Sequence, residues 1–192
     1  MKKMFHLFET EDYIYTPKIR AGSEWVENGE GVITEKLDGT SVRLTVRLGK
    51  IVRVERRRNP TREEKRPGIV IDPWYMDART DDPQAKHILD AALNTDVTAL
   101  PDGEYTAEAI GPFIQGNPLG LGYKVCVPHV LAPRYADSLR TYDSLRDKCI
   151  DGVYSLYSPG HIAEGFVFHH PDGRMVKLRF STFSAKGFVY GL

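Results

Sequence analysis

From residue 32 to residue 58 apolar and polar positions alternate with the period of a strand. "GVITEKL" runs into "SVRLTVRLGKIVRVERRR", where Val42, Leu44, Val46 and Leu48 alternate with Ser41, Arg43, Thr45 and Arg47. A period of two predicts a half-buried strand, and Gly49-Lys50 reads as the turn into a second alternating run, so the pair predicts a hairpin. "NPTREEKRPGIVIDPWYMDARTDDPQ" is dense in charge, proline and turn residues and reads as a long surface excursion with one short apolar piece at 69–71. The period then becomes helical. Ala85, Ile88, Leu89, Ala92 and Leu93 recur at helix spacing in "PQAKHILDAALN", with proline at the entry, where its missing N–H costs nothing. "GEYTAEAI" and "YKVCVPHVL" read as strands joined by the turn-rich "GPFIQGNPLGLG", and residues 141–150 as a second short helix capped by Thr141 or Asp143. "AEGFVFHHPDGRMVKLRF" closes as strand, turn and strand. A two-residue Asp172-Gly173 loop would set Phe168 opposite Lys177 and Phe166 opposite Arg179, with Glu164 on the same face as both cations. A three-residue loop would slip that register by one. The two-residue loop is expected. The class is α+β, antiparallel sheets flanked by short helices.

Composition narrows the possibilities. The chain has 192 residues, 41% hydrophobic, enough for one domain with a real core. Lys plus Arg and Asp plus Glu both number 26, so no global field advertises nucleic acid or membrane, and any such partner must be met locally. No run approaches the roughly 18 apolar residues of a membrane span, and "MKKMFHLFETEDY" lacks the apolar stretch of a signal peptide. Cys126 and Cys149 are too few for a disulfide framework or thiolate zinc site. His169 and His170 are strand neighbours pointing to opposite faces, which argues against a histidine metal site. A cytoplasmic protein with no membrane association is expected.

Taken singly, the polar residues are ordinary. Lys36 can end a strand, Asp38-Gly39 can be a turn, and Lys177 and Arg179 can be the exposed half of a strand whose buried half is Val176, Leu178 and Phe180. Their order changes the picture. "EKLDG", an arginine 20 residues after the lysine, "AEAIGPFIQGNP", "AEGFVF" and "VKLRF" together resemble the motif series of the covalent nucleotidyltransferases, the superfamily of ATP-dependent RNA and DNA ligases and capping enzymes. "E-x-x-G-P-x-I-Q" at 108–115 and the "VKLRF" ending look like the RNA-ligase branch, closest to the compact 5′-3′ RNA ligases of animals, bacteria and phages. The resemblance covers residues 33–180.

That resemblance implies a single adenylylation domain of ATP-grasp-like ligase fold over 1–192, without a separate oligonucleotide-binding-fold domain, which sets DNA ligases and capping enzymes below RNA ligases. It implies an enzyme that joins an RNA 5′-phosphate to a 3′-hydroxyl through a lysyl-AMP on Lys36, with ATP and Mg²⁺ or Mn²⁺ as cofactors and RNA ends as substrate, and no obligate protein partner. Only a neutral amine attacks phosphorus, whereas a lysine of ordinary pKa near 10.4 is almost wholly protonated at neutral pH. Metal and the cationic Lys177 and Arg179 would disfavour the ammonium and stabilise the transferring phosphate. Arg56 is implied as the arginine for ribose and later phosphate, Arg57 being the alternative, and Glu108 as the ribose-binding acid, with Glu104 open as its substitute. Asp38 and Gly39 complete the nucleotide motif around Lys36. Glu35 would meet the adenine through side chain or backbone, and Val127 or His129 would cover the base. Glu164, with Glu108, would hold the metal. Arg57, Arg58 and Arg62 would supply an RNA-phosphate patch. A non-catalytic module binding nucleotide or RNA ends on a ligase fold is the alternative.

Overall fold

The alternation at 40–47 does fold as a strand, in a computed structural model that describes residues 4–65, 71–136, 139–150 and 152–183. In chain order the elements are β1 (Phe5–His6), β2 (Phe8–Glu11), β3 (Ile14–Ile19), α1 (Glu24–Glu27), β4 (Val32–Lys36), β5 (Thr40–Arg47), β6 (Lys50–Arg58) and β7 (Trp74–Asp77). There follow α2 (Pro83–Leu93), β8 (Gly103–Ile110), β9 (Val125–Pro128), β10 (Arg134–Tyr135), α3 (Tyr142–Ile150), β11 (Gly165–His169) and β12 (Met175–Arg179). Short 3₁₀ turns occupy His129–Leu131 and Phe180–Phe183. The class is α+β, as the periodicities predict. The chain separates into two compact units, one of residues 38–131 and one of 4–37 with 132 onward.

The first unit is the sheet β7-β6-β5-β8-β9, antiparallel throughout, with α2 on one face. Val42 and Leu44 of β5, Ala107 and Ala109 of β8 and Cys126 of β9 bury against Ile88, Ala91 and Ala92. Asp82 caps α2 by accepting a hydrogen bond from Gln84 N at 2.9 Å, directly before Pro83. Leu93, expected inward, is 85% exposed; Ala91 takes the buried stripe instead. The hairpin turn also falls one residue earlier than expected. Leu48 and Gly49 both adopt positive φ, 51° and 67°, the two-residue turn whose twist suits paired strands, and Leu48 is consequently exposed. Pairing then shifts between Thr45↔Arg53 and Val46↔Ile51, so Val52 bulges out. The supposed surface excursion contains a strand, since β7 pairs with β6 from Glu55↔Asp77 to Arg58↔Trp74. Of the apolar piece at 69–71, residues 69 and 70 lie outside the described residues.

The second unit has the sheet β1-β12-β11-β4-β10 and the separate hairpin β2-β3. Ile33, Phe166, Phe168 and Leu178 supply its core from the sheet, Trp25, Phe8 and Tyr15 from the N-terminal elements, and Leu145 and Cys149 from α3. Thr141 opens α3, its hydroxyl accepting from Ser144 N at 3.3 Å. The final hairpin overturns the two-residue expectation. His170 N donates to Arg174 O at 2.9 Å and Gly173 N to His170 O at 3.0 Å around a three-residue loop, with Gly173 at φ 92°. Gly173 fits that left-handed position, so local turn chemistry sets the register: Val167 opposes Lys177 and Gly165 opposes Arg179.

Candidate active site

Lys36 ends β4 with Gly165 as its cross-strand partner, and Gly165 in turn opposes Arg179 on β12. Cross-strand partners share a face, so Lys36, Thr34, Val167, Lys177 and Arg179 project to one side of the sheet while Ile33, Glu35, Phe166 and Leu178 project into the core. The slipped register was expected to turn Glu164 away, yet it does not. Glu164 lies just before β11, outside the strict alternation, and its carboxylate is salt-bridged to Lys36 Nζ through one oxygen and to Arg179 Nε at 2.8 Å through the other. Lys36 and Glu164 are both largely buried, whereas the Arg179 side chain is half-exposed. Thr34 Oγ1, hydrogen-bonded to His169 Nε2 at 2.9 Å, completes this face two residues from the lysine.

The N-terminal strands brace β12, a support absent from the motif reading. β1 pairs with it in parallel, His6 opposite Lys177, and Arg179 N donates to Tyr15 Oη at 3.0 Å. Burial pushes the Tyr15 phenol up to about 12, so it remains neutral and can both accept that bond and meet His6 Nδ1. Neither cysteine is a candidate nucleophile: both are buried, and desolvation pushes Cys126 up to about 12.

Glu35 faces away from Lys36, 2% exposed. Its carboxylate accepts from Ser155 Oγ, Leu156 N at 2.8 Å and Tyr157 N at 3.1 Å, pinning the loop before β11. A side chain so engaged is not available to an adenine amino group, which closes the side-chain half of that expectation. Its role is anchorage. Glu35→Ala would strand donors that the carboxylate satisfies, costing on the order of 3 kcal/mol; chemical denaturation should show a lower midpoint at unchanged slope.

In the first unit Glu108 lies on the face of β8 opposite α2, since it pairs with Ser41, whose neighbour Val42 faces the helix. Val127 pairs with Glu108 on that face. His129 Nε2 stands 3.6 Å from the Glu108 carboxylate while its Nδ1 meets Thr106 Oγ1 at 2.9 Å, so both residues proposed to cover a base border Glu108. Glu104 is on the same face, occupied by Arg43 at 3.2 Å.

The two candidate arginines part company here. Arg56 pairs with Val42, so it faces α2 and salt-bridges Asp82 at 2.7 Å. Arg57, one residue on, takes the Glu108 face, where its partner Tyr75 bonds Ser41 Oγ at 3.3 Å. The geometry therefore supports Arg57 over Arg56 as the arginine that accompanies Glu108. Arg58 is held bidentate by Glu64, both contacts 3.0 Å, and lies over the Trp74 ring, which subtracts it from an open phosphate patch. Arg62 is exposed in the following turn. Asp38 and Gly39 form the bend into β5. Gly39 is required there for clearance, because a Cβ would sit 2.2 Å from Ala109 O.

Among the described residues no group of three or more His, Cys, Asp or Glu side chains is arranged to hold a metal. Glu164 offers one carboxylate beside two cations. That donor set fits Mg²⁺ or Mn²⁺ only if substrate phosphates and water supply the remaining oxygens, the usual habit of magnesium at phosphate-transfer sites. Among the described residues no helix is long and apolar enough to cross a membrane.

No protein-family model matches the chain. Among solved structures it is similar to a Naegleria gruberi RNA ligase. The form carrying AMP and Mn aligns at 16% identity over 92% of this chain and 59% of that one, TM-score 0.47, and the pyrophosphate form at 17% over 92% and 59%, TM-score 0.45. Among curated proteins, RNA ligase 1 of Pongo abelii is 34% identical over 96 residues, 48% of this chain and 29% of that protein. RNA ligase 1 of Mus musculus is 35% identical over 86 residues, 43% of this chain and 26% of that protein. The matched stretch thus spans less than a third of either relative's length. In sequence, then, part of this chain is similar to part of the RNA ligase 1 proteins of Pongo abelii and Mus musculus.

Proposed function

We propose that the chain is an ATP-dependent RNA ligase that joins a 5′-phosphate to a 3′-hydroxyl, with Lys36 as its nucleophile. The observation that carries this reading is the grouping of Lys36, Glu164 and Arg179, with Lys177, on one face of the second unit. Lys36 Nζ forms the bond to the α-phosphorus of ATP as the bond to the bridging oxygen breaks and pyrophosphate leaves. The attack needs the nitrogen lone pair, so the Lys36 ammonium must first give up a proton, to the Glu164 carboxylate beside it or to water. Bound Mg²⁺ or Mn²⁺ would neutralise charge on the transferring phosphate, held by Glu164 and the phosphate oxygens. Lys177 and Arg179 would stabilise the same charge from the protein side. AMP then passes to the RNA 5′-phosphate, and the 3′-hydroxyl displaces it. Glu108 serves the ribose and Arg57 its neighbouring phosphate. The chain acts as a cytoplasmic enzyme, with its adenylylation domain formed from residues 1–192.

Wild-type protein incubated with Mg²⁺ and α-labelled ATP should become covalently labelled, then join 5′-phosphorylated RNA. Failure to join any nicked, hairpin or linear RNA, with nucleotide binding retained, would favour the binding module. The two arginines supply a second check. Arg57→Ala should lower covalent labelling roughly tenfold or more, the loss expected when a charged hydrogen bond is removed, and Arg56→Ala much less. Equal loss in both would refute the assignment by face.

A further inference from the structure

Where β5 begins and β6 ends, the first unit holds a cavity of about 620 Å³. Its lining includes Arg56, Arg57 and Arg58, the last already paired with Glu64, and the neutral donors Asn59, Gln84 and Gln115, with no carboxylate among the described lining residues. Three further features of its wall are unaccounted for by the adenylylation chemistry. Arg56 Nε and His87 Nδ1 are buried without hydrogen-bond partners among the described residues, although Arg56 also meets Asp82. Orphaned buried nitrogens are costly and mark places where a ligand supplies the missing partner. Phe113 and Gln115 adopt left-handed backbone, φ 67° and 48°, which for a bulky aromatic is a strained state of the kind kept at ligand clamps. Gln115 Nε2 ties this loop to Thr40 Oγ1 at 3.3 Å. The strain holds Phe113 at the rim, 79% exposed. His87 stacks behind it at 5.1 Å and 19°, and Lys124 Nζ lies 5.7 Å from the ring.

A cation-lined cavity with an exposed, backed aromatic at its mouth suits an anion attached to a flat ring. We propose that this cavity is a subsite for one nucleotide of an RNA strand, Arg56 receiving a backbone phosphate through its unpaired Nε and Phe113 stacking a base. It rests on the RNA-ligase reading only for the identity of the polymer. It takes in Arg56 with His87 and Gln84 of α2, so it gives that arginine a role distinct from the Glu108 face. The neutral donors reach phosphate and sugar oxygens without selecting a base, and stacking on Phe113 tolerates any base.

Fluorescence anisotropy with a 5′-fluorescein single-stranded RNA, which has no 5′-phosphate to activate, tests this in the full chain. Phe113→Ala and His87→Ala should each weaken binding on the order of tenfold, as loss of one stacked base does, while covalent labelling at saturating ATP stays unchanged. Phe113→Trp, which keeps the stacking surface, should restore affinity and guards against misfolding as the cause. Unchanged RNA affinity in both alanine variants would overturn the proposal. So would a raised KM for ATP in labelling with RNA affinity intact, because the cavity would then hold mononucleotide. Should wild-type protein take no label at all, the ligase mechanism fails, yet the anisotropy series still decides whether RNA occupies this cavity.

Discussion

Replacing Lys36 by alanine is expected to abolish covalent labelling by ATP, a loss of roughly 10³-fold or more, as for other essential nucleophiles. The bond accounting leaves no substitute. Within the second unit Lys177 stands opposite Val167 on β12, one strand beyond the β11 partner of Lys36, and Arg179 is a guanidinium with no available lone pair. Lys36→Arg makes the sharper variant. It keeps a cation for Glu164 and so preserves the pairing that holds the end of β4, but its pKa above 12 denies it nucleophilic character. Both variants should fold and neither should label. Both should nonetheless seal RNA supplied already adenylylated at its 5′ end, because the last displacement forms a bond from the 3′-hydroxyl and needs no lysine. Label that survives Lys36→Ala would remove Lys36 from the first step, and loss of sealing from the adenylylated substrate as well would overturn the claim that the last step needs no lysine.

The candidate site was legible from the chain to the extent that local pattern decides it. Alternation through 40–47 and 103–110, helical spacing through 83–93 and the order of the motifs each depend on nearest neighbours, and the strands and helix appear where those periods place them. Long-range pairing is what the pattern missed. β7 hides in a stretch whose charge and prolines read as loop because it is an edge strand of four residues, supported by β6 on one side. β1 is two residues long and has no period at all, yet its parallel pairing places His6 beside Lys177.

Two registers turned on single residues. The bulge takes Val52 off the helix side of β6, on which Val54 and Arg56 remain, so it is Arg57 that shares a face with Glu108. The last hairpin turned on Pro171-Asp172-Gly173, where a shared active site had argued for a two-residue loop. Local turn chemistry prevailed, and the site survives because Glu164 precedes the strand and escapes its alternation. The reason for Glu35, a buried acid next to the nucleophile, is tertiary too, since its partners lie 120 residues away.

Gly165 makes the second large prediction, and it concerns clearance. The residue is in an ordinary extended strand with no positive φ, so a turn requirement does not explain it. A Cβ built there would lie 1.9 Å from Leu178 O and 3.1 Å from Arg179 Cα, backbone atoms that cannot swing aside. Gly165→Ala must therefore push β11 from β12, at a cost on the order of 4 kcal/mol. Because Gly165 is the cross-strand partner of both Lys36 and Arg179, the displacement acts on the two cations that share Glu164. Denaturation should show a strongly lowered midpoint, and labelling should fall even where the protein stays folded. Gly173→Ala separates the causes. Gly173 has φ 92° but nothing within 4 Å of a new Cβ, so it should lose only the roughly 1 kcal/mol of a left-handed alanine and keep labelling. If Gly165→Ala proved no worse than Gly173→Ala, the close approach of β11 to β12 would not be what positions Lys36 and Arg179 about Glu164.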